Sequence, residues 1–255
     1  MIKQDAVLIE NMHDIPYMLS SKFGPEIVAS MASLTLEIRR IFETSKKMIP
    51  IGIQVIVFFI KCQIYDFLEG FCFFFKVLAC GGKEAIAIAK STNCQFIRNE
   101  GFVFSHIGDE GWIDSNAGEL LRYRKSIDAE SVLIFNDIKK KHSSHAITQD
   151  VTLLETAFAA QFFQADGIIL TGKSTGDTTD IEDLKVLHDS RQKLNLPTLI
   201  GSGVTKENIK DYISMADALI IGSYFKEDGH WKNDLSSERI NDFMNNFEHI
   251  LKELK

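Results

Sequence analysis

Residues 197–223 read PTLIGSGVTKENIKDYISMADALIIGS and contain two short apolar runs, each followed at once by glycine. The runs, at residues 197–200 and 218–221, have the β-branched composition of buried strands, and a helical pattern lies between them at residues 206–215. Glycine permits the tight turns by which such strands pass into helices. The stretch therefore predicts a strand, a helix and a second strand, the repeating unit of a parallel sheet covered by helices.

The same alternation extends over the whole chain. Further apolar runs predict strands at residues 6–10, 49–54, 95–98, 131–135 and 167–170. Helical patterns fill the intervals at residues 25–44, 83–92, 115–127, 151–164 and 181–194, and one more follows at 237–254. The length of 255 residues is close to that of one β/α barrel. We therefore predict an α/β fold, and the length alone allows either one large domain or two small ones.

Composition limits the classes of partner and compartment. Hydrophobic residues make up 45% of the chain and charged residues 25%, which is ordinary for a globular protein with a real core. The net charge of −7, without a stripe of Lys or Arg, argues against a nucleic-acid partner. The four cysteines show no CxxC or zinc spacing and predict reduced thiols. We expect a small-molecule partner and a reducing compartment, cytoplasm or mitochondrial matrix; no targeting segment is visible, and a homo-oligomer stays an open alternative.

The segment at residues 55–76 breaks the rhythm because it is far richer in phenylalanine than the rest of the chain. A membrane span would need about 20 predominantly apolar residues. Lys61, Asp66, Glu69 and Lys76 interrupt the run. We therefore predict no transmembrane span and interpret the segment as an atypical apolar insert.

Several motifs in a fixed order carry a resemblance to a known family. They lie at residues 9–17, 96–102, 118–124, 136–142, 171–176, 201–208, 216–217 and 221–229. Together they resemble the BtpA family of photosystem I biogenesis proteins, which are similar to ribulose-phosphate-binding barrels. The resemblance, which excludes residues 55–76, implies a TIM-type (β/α)8 barrel that forms a single domain over residues 1–255. The family name implies an assembly or stability factor.

Two departures from the family pattern give further expectations. The chain begins within a segment that follows the family's first strand, so we expect it to lack the first βα unit. Removing residues 55–76 would join Gln54 to Val77 in one strand ending at Gly81. We therefore interpret the insert as foreign, a translated intron in a eukaryotic gene. An incomplete barrel with an apolar insert would leave strand edges unpaired and aggregate.

Polar side chains at the predicted strand ends form the first candidate site. In a β/α barrel the working residues lie at the C-terminal ends of the strands, and alternate strand residues face the interior. This alternation predicts that one strand directs Phe96, Arg98 and Glu100 to one face and that the next directs Leu133, Phe135, Asp137 and Lys139 to one face. Opposite and like charges held together there can set different pKa values for an acid and a base. The candidate catalytic residues are Glu10, Glu100, Asp137, Lys139 and His142, and the rest of the substrate pocket is Asn11, Asp14, Arg98, Lys141, Thr171 and Thr175.

A structural ion network is the alternative for this group. It is favoured for Arg98 with Glu100, because buried charges must be paired in any case. A functional role is favoured for Asp137 and His142, which follow a strand with no helix to cap. We assign no metal site, since HxH and HExxH spacings are lacking, and the sequence identifies no cofactor. Metal ligation stays the minor alternative, with Glu10, Asp14, Glu100, Asp137 and His142 as its candidate ligands.

Glycines after the last two strands form the second candidate site. Gly201, Ser202 and Gly203 follow the seventh barrel strand, and Gly222 and Ser223 follow the eighth. Loops at these two places commonly hold phosphate, because glycine lets backbone N–H groups approach an anion. The alternative is that the glycines serve only tight turns. We expect an enzyme that binds or transforms a phosphorylated small molecule, with a non-catalytic assembly factor as the second hypothesis.

Overall fold

The computed structural model describes residues 6–44, 57–60 and 72–254. The strands at residues 6–10, 167–170 and 218–221 and the helix at 25–44 have the predicted bounds, and most other elements lie within a few residues of theirs. The strands are β1 (Ala6–Glu10), β2 (Val57–Ile60), β3 (Cys72–Lys76), β4 (Phe96–Asn99), β5 (His106–Gly108), β6 (Gly111–Ile113), β7 (Leu133–Asp137), β8 (Ser143–Ser144), β9 (Gly167–Leu170), β10 (Thr198–Ile200) and β11 (Ala218–Ile221). The α-helices are α1 (Pro25–Thr44), α2 (Gly82–Ser91), α3 (Ala117–Ser126), α4 (Leu153–Phe162), α5 (Ile181–Asp189), α6 (Ile209–Ile213) and α7 (Ser237–Glu253).

The main sheet closes on itself in the order β1, β2, β11, β10, β9, β7, β4 and β3. Neighbouring strands are parallel except at β2, which runs antiparallel to both β1 and β11. The fold is therefore α/β with a curled, largely parallel sheet. It differs from a regular (β/α)8 barrel because an antiparallel strand holds one place in the ring.

Two parts of residues 55–76, the segment that we interpreted as an atypical apolar insert, are strands of the ring. In β2, Phe59 is paired with Ala6 of β1 on one side and with Ile220 of β11 on the other. The edges of β1 and β11 that we expected to be unpaired are joined through β2, which satisfies their backbone hydrogen-bonding groups. The strand leading into Val77 is β3; the predicted strand at 49–54, with Gln54, lies outside the described residues.

Alternating strand residues fill the inside of the ring in layers, as the period of two requires. The lower layer is apolar, and the rings of Phe96 and Phe135 meet edge to face at 5.0 Å between centroids. This confirms the predicted inward face of both strands. The other members of the layer are Ala6, Leu8, Ile169, Leu199, Ala218 and Ile220. The next inward positions toward the C-terminal ends of β1, β3, β4 and β7 carry charged residues. The polar end of the ring therefore lies where the site was predicted.

A small antiparallel sheet, β6–β5–β8, stands beside this end of the ring. His106 lies on β5 and is buried. Cys80 and Cys94 are free thiols. Among the described residues, none of the helices combines the length and apolar character that a membrane span requires.

Candidate functional site

A cavity of about 780 Å³ opens at the C-terminal ends of the strands. This volume is typical of a small-molecule site. Segments that follow β1, β3, β4, β7, β9, β10 and β11 all contribute to its wall, so it draws on both predicted groups. The predicted site residues that line it are Glu10, Arg98, Glu100, Lys141, His142, Thr175, Gly201, Ser202, Gly203, Gly222 and Ser223.

Other predicted residues lie outside the wall, namely Asn11, Asp14, Asp137, Lys139 and Thr171. Asn11 serves the backbone: its Oδ1 accepts from the Leu78 N–H at 2.7 Å and its Nδ2 donates to the Leu78 carbonyl at 3.2 Å. The Asn11 Nδ2 also reaches Asp14 Oδ2 at 3.3 Å. These contacts hold the loop after β1 against the segment after β3, which is a structural task.

Five buried side chains form what we call the charged layer: Glu10, Lys76, Arg98, Glu100 and Asp137. Arg98 holds Asp137 through two bonds, Nε to Oδ1 at 2.9 Å and Nη2 to Oδ2 at 3.0 Å. Lys76 Nζ lies 3.1 Å from Glu100 Oε1 and 3.7 Å from Glu10 Oε1. Each charge therefore has an opposite partner, as a buried ion network requires.

The opposite charges of this layer shift the pKa values of Arg98 and Glu100. Burial alone would lower the pKa of Arg98, but Asp137 and Glu10 raise it above its ordinary value. Burial alone would raise the pKa of Glu100, but Lys76, Lys140 and Arg98 hold it well below the usual range. Asp137 therefore belongs to a buried ion pair beneath the cavity, and Glu100 is a carboxylate at neutral pH.

Lys76 is a site residue that the sequence argument missed, because it was assigned to the insert. Its place at the C-terminal end of β3 follows from the strand that the structure finds at residues 72–76. Lys140 was missed as well; its buried Nζ lies 3.7 Å from Glu100 Oε2 and 3.6 Å from Glu110 Oε2. The run of three lysines after β7 was the available signal, but sequence alone does not tell which of them faces the carboxylates.

His142 joins two loops of the cavity wall. Its Nε2 accepts a hydrogen bond from the Thr175 backbone N–H at 3.2 Å, and its Nδ1 lies 3.7 Å from Asp109 Oδ2. Burial and the neighbouring Lys141 lower the pKa of His142 below its ordinary value. The imidazole is thus neutral at pH 7, with its Nδ1 proton directed to Asp109.

We call the predicted glycine-rich loops, Gly201–Gly203 with Gly222–Ser223, the glycine rim. Gly203 has φ +69°, and a Cβ there would lie 2.2 Å from the Asp177 carbonyl oxygen, so only glycine fits. The Ser202 hydroxyl accepts from the Gly172 N–H at 2.7 Å and donates to the Asp177 carbonyl at 3.1 Å. Ser202 thereby fastens the rim to the loop after β9.

A buried lysine beside the glycine rim was also missed. Lys226 follows β11, lines the cavity and is 5% exposed. Within the described part of the chain its Nζ has no hydrogen-bond partner. Burial lowers the pKa of Lys226, partly opposed by Asp234. The signal in the sequence was a lysine four residues after Gly222, within the motif at residues 221–229. Only Gly222 and Ser223 of that motif were assigned to a site.

Aromatic residues also contribute to the cavity wall. Tyr17, Tyr224 and Trp231 line the cavity, and Trp231 lies against the His13 ring at 5.5 Å between centroids. Arg239 stacks on Tyr224 at 4.5 Å. Trp231 is thus part of the candidate site. In the described ranges, no group of three His, Cys, Asp or Glu side chains is placed to hold a metal ion.

Comparison with known proteins identifies the family. The sequence model of the BtpA family matches residues 70–249. The chain belongs to the BtpA family. A mitochondrial protein of Caenorhabditis elegans is 42% identical over 94% of this chain and 77% of its own length. The photosystem I biogenesis protein BtpA of Synechocystis is 28% identical over 94% of this chain and 72% of its own length. The resemblance seen in the sequence is confirmed.

Solved structures support the fold of this BtpA-family chain. The structure of thiamine phosphate pyrophosphorylase from Pyrococcus furiosus matches 98% of this chain and 83% of its own chain, with a TM-score of 0.52 and 14% sequence identity. The structure of N-(5'-phosphoribosyl)anthranilate isomerase from the same organism matches 96% of this chain and 88% of its own chain, with a TM-score of 0.50 and 13% sequence identity. At this identity the similarity concerns the barrel-like fold alone.

Proposed function

We propose that this BtpA-family protein binds a phosphorylated small molecule in the cavity, with the phosphate held at the glycine rim. The observation that carries the proposal is Lys226, a buried cation without a hydrogen-bond partner among the described residues, which lines the cavity beside Ser223. A buried charge is costly unless it is paired. A bound phosphate would supply the missing partner.

The backbone of the glycine rim supports the same ligand. The N–H groups of Gly203 and Ser223 donate no hydrogen bond to another described residue. Gly222 precedes a single 3-10 turn at Ser223–Phe225, without a side-chain cap. Uncapped N–H groups beside a lysine suit a phosphate, which accepts several hydrogen bonds.

The chemistry at the other end of the cavity would be proton transfer. Glu10, Glu100 and His142 are the predicted acid–base residues that line the wall. His142 is neutral at pH 7 and so has the protonation state of a general base, while Glu100 is ionised. If the phosphate of a substrate were held at the glycine rim, the rest of the molecule would lie next to these acid–base groups.

Sulfate is the probe that tests the anion site, since it has no ionisation near neutral pH. Sulfate should raise the midpoint of thermal unfolding of the native protein, because a ligand that binds only the folded state stabilises it. Lys226→Met should weaken sulfate binding by about tenfold or more, the value of one charge-assisted hydrogen bond. Lys173→Met, which removes an exposed lysine outside the cavity, is the matched control. Equal sulfate responses in both variants would refute the assignment.

A non-catalytic assembly factor is the second candidate, favoured by the name of the Synechocystis relative. It predicts stable association with a membrane-bound complex that survives the loss of Lys226. Co-purification of the native protein and of Lys226→Met with that complex separates the two functions. Of the compartments expected from the sequence, the relative from C. elegans favours the mitochondrial matrix.

A further inference from the structure

Three consecutive lysines follow β7 and have three different environments. Lys139 Nζ donates to the Thr148 carbonyl at 3.1 Å and lies outside the cavity wall. Lys140 Nζ is held between Glu100 and Glu110. Lys141 lines the cavity, and it has no ion pair or side-chain hydrogen bond with another described residue. Lys141 is thus the member of this run that lines the cavity without a side-chain partner in the described ranges.

The surroundings of Lys141 oppose its positive charge. Burial lowers the pKa of Lys141 to about 8, helped by the cations Arg98 and Lys76 and opposed by Glu10 and Asp137. Roughly half of the amine is then neutral at pH 8. An ordinary lysine, with a pKa of about 10.4, has a neutral fraction about two orders of magnitude smaller. The pKa of Lys140 is shifted in the opposite direction: burial alone would lower it, but Glu100 raises it above its ordinary value.

We propose that Lys141 is a nucleophile that forms an imine with the carbonyl group of a phosphorylated aldehyde or ketone. The inference rests on the proposed function in one respect: the phosphate of the same molecule would be held by the glycine rim and Lys226. Its independent basis is the position of an unpaired amine in the cavity wall, above the charged layer. Desolvated lysines beside other cations are the ones that enzymes use in this way.

The reaction balances without an oxidant or a reductant. The lone pair of the neutral Lys141 amine forms a C–N bond, and the carbonyl electron pair moves to oxygen, which takes a proton from the nitrogen. The C–O bond then breaks, and the oxygen leaves as water with the proton that the ammonium group had released. The product is an iminium ion. It carries the same positive charge as the original ammonium group, so the balance with Glu10 and Glu100 is unchanged.

Reductive trapping tests the inference on the full chain. Dihydroxyacetone phosphate is the probe, dihydroxyacetone is the matched probe without phosphate, and borohydride converts any imine into a stable secondary amine. We expect a mass increase equal to the probe less one oxygen atom on the peptide that contains Lys141. Lys141→Arg should lose this adduct, because a guanidinium group forms no stable imine, and Lys139→Arg should keep it. Lys141→Gln is the second variant if the arginine prevents cooperative folding.

The outcomes separate this inference from the proposed phosphate site. Sulfate stabilisation without an adduct at Lys141 would overturn the imine and leave the phosphate site standing. Equal trapping by the two probes at Lys141, without sulfate stabilisation, would support the nucleophile and overturn the phosphate site. An adduct spread over many lysines and unchanged in Lys141→Arg would overturn the nucleophile.

Discussion

The charged layer and the glycine rim lie at the same end of the ring, separated by β9 on one side and β2 on the other, and they differ in how a buried cation is paired. Arg98 in the charged layer is held by both oxygens of Asp137. Lys226 beside the glycine rim is as deeply buried, but its amine has no hydrogen-bond partner among the described residues. Removing the partner of a paired buried cation leaves an uncompensated charge and destabilises the fold, whereas an unpaired cation is available to a ligand. Under the proposed function, the charged layer serves folding and the glycine rim serves binding.

The largest effect expected from this comparison is a loss of stability in the charged layer. Asp137→Asn leaves the Arg98 guanidinium facing a neutral amide in a buried site. We expect the free energy of unfolding to fall by about 3 kcal/mol, the cost of breaking a buried ion pair. Denaturant unfolding measures this change.

Asp109→Asn is the control for that measurement, because its carboxylate is 76% exposed and lies 3.7 Å from His142. It should change the free energy of unfolding by no more than about 0.5 kcal/mol. Nearly equal stabilities of the two variants would show that Asp137 is not held as a structural ion pair, and a functional role for Asp137 would then regain support.

The second effect is a loss of binding at the glycine rim with little change in folding. Ser223→Asp places a carboxylate at the rim, and like charges brought together cost several kcal/mol. We expect sulfate affinity to fall by at least about tenfold. Ser223→Asn has the same size without the charge and should retain most of the affinity. Gly203→Asp is unsuitable as a test, because its Cβ would collide with the Asp177 backbone and disturb the loop itself.

Isothermal titration with sulfate measures both Ser223 variants, and thermal unfolding without sulfate checks their folds. If Ser223→Asp and Ser223→Asn bound sulfate equally, the anion would not lie at this rim. A large loss of stability in both without sulfate would assign the glycine rim to folding, and the distinction between the two regions would fail.

The smallest effect is a pH dependence of sulfate affinity. The charged form of Lys226 binds the anion, and burial places the pKa of this lysine below its ordinary value of 10.5. Affinity should therefore be full below that pKa and fall as the pH rises through it, by up to about tenfold per pH unit. Lys141 also titrates in this range, so the slope is compared between the native protein, Lys141→Met and Lys226→Met. A slope that survives in Lys226→Met would assign the titration to another group.

The segment at residues 55–76 shows where pattern and fold disagree. Its phenylalanine-rich composition broke the helix and strand rhythm, and the resemblance to the family treated it as foreign. In the structure β2 fills a place in the ring and β3 brings Lys76 to the charged layer. Aromatic residues suit a pleated sheet wherever neighbouring strands offer hydrogen bonds. Whether those neighbours exist is a property of the whole ring, which local composition does not contain.

The sequence by itself determined the alternation of strands and helices, the inward face of β4 and β7, the family, and the strand ends at which a site would lie. These follow from local periodicity and from motif order. Only the tertiary structure decided that Asp137 lies beneath the cavity, that Lys140 is paired and Lys141 is not, and that Lys226 is buried beside the glycine rim. The reason is physical: the cost of a charge depends on burial and on partners from distant strands, and both are set when the ring closes.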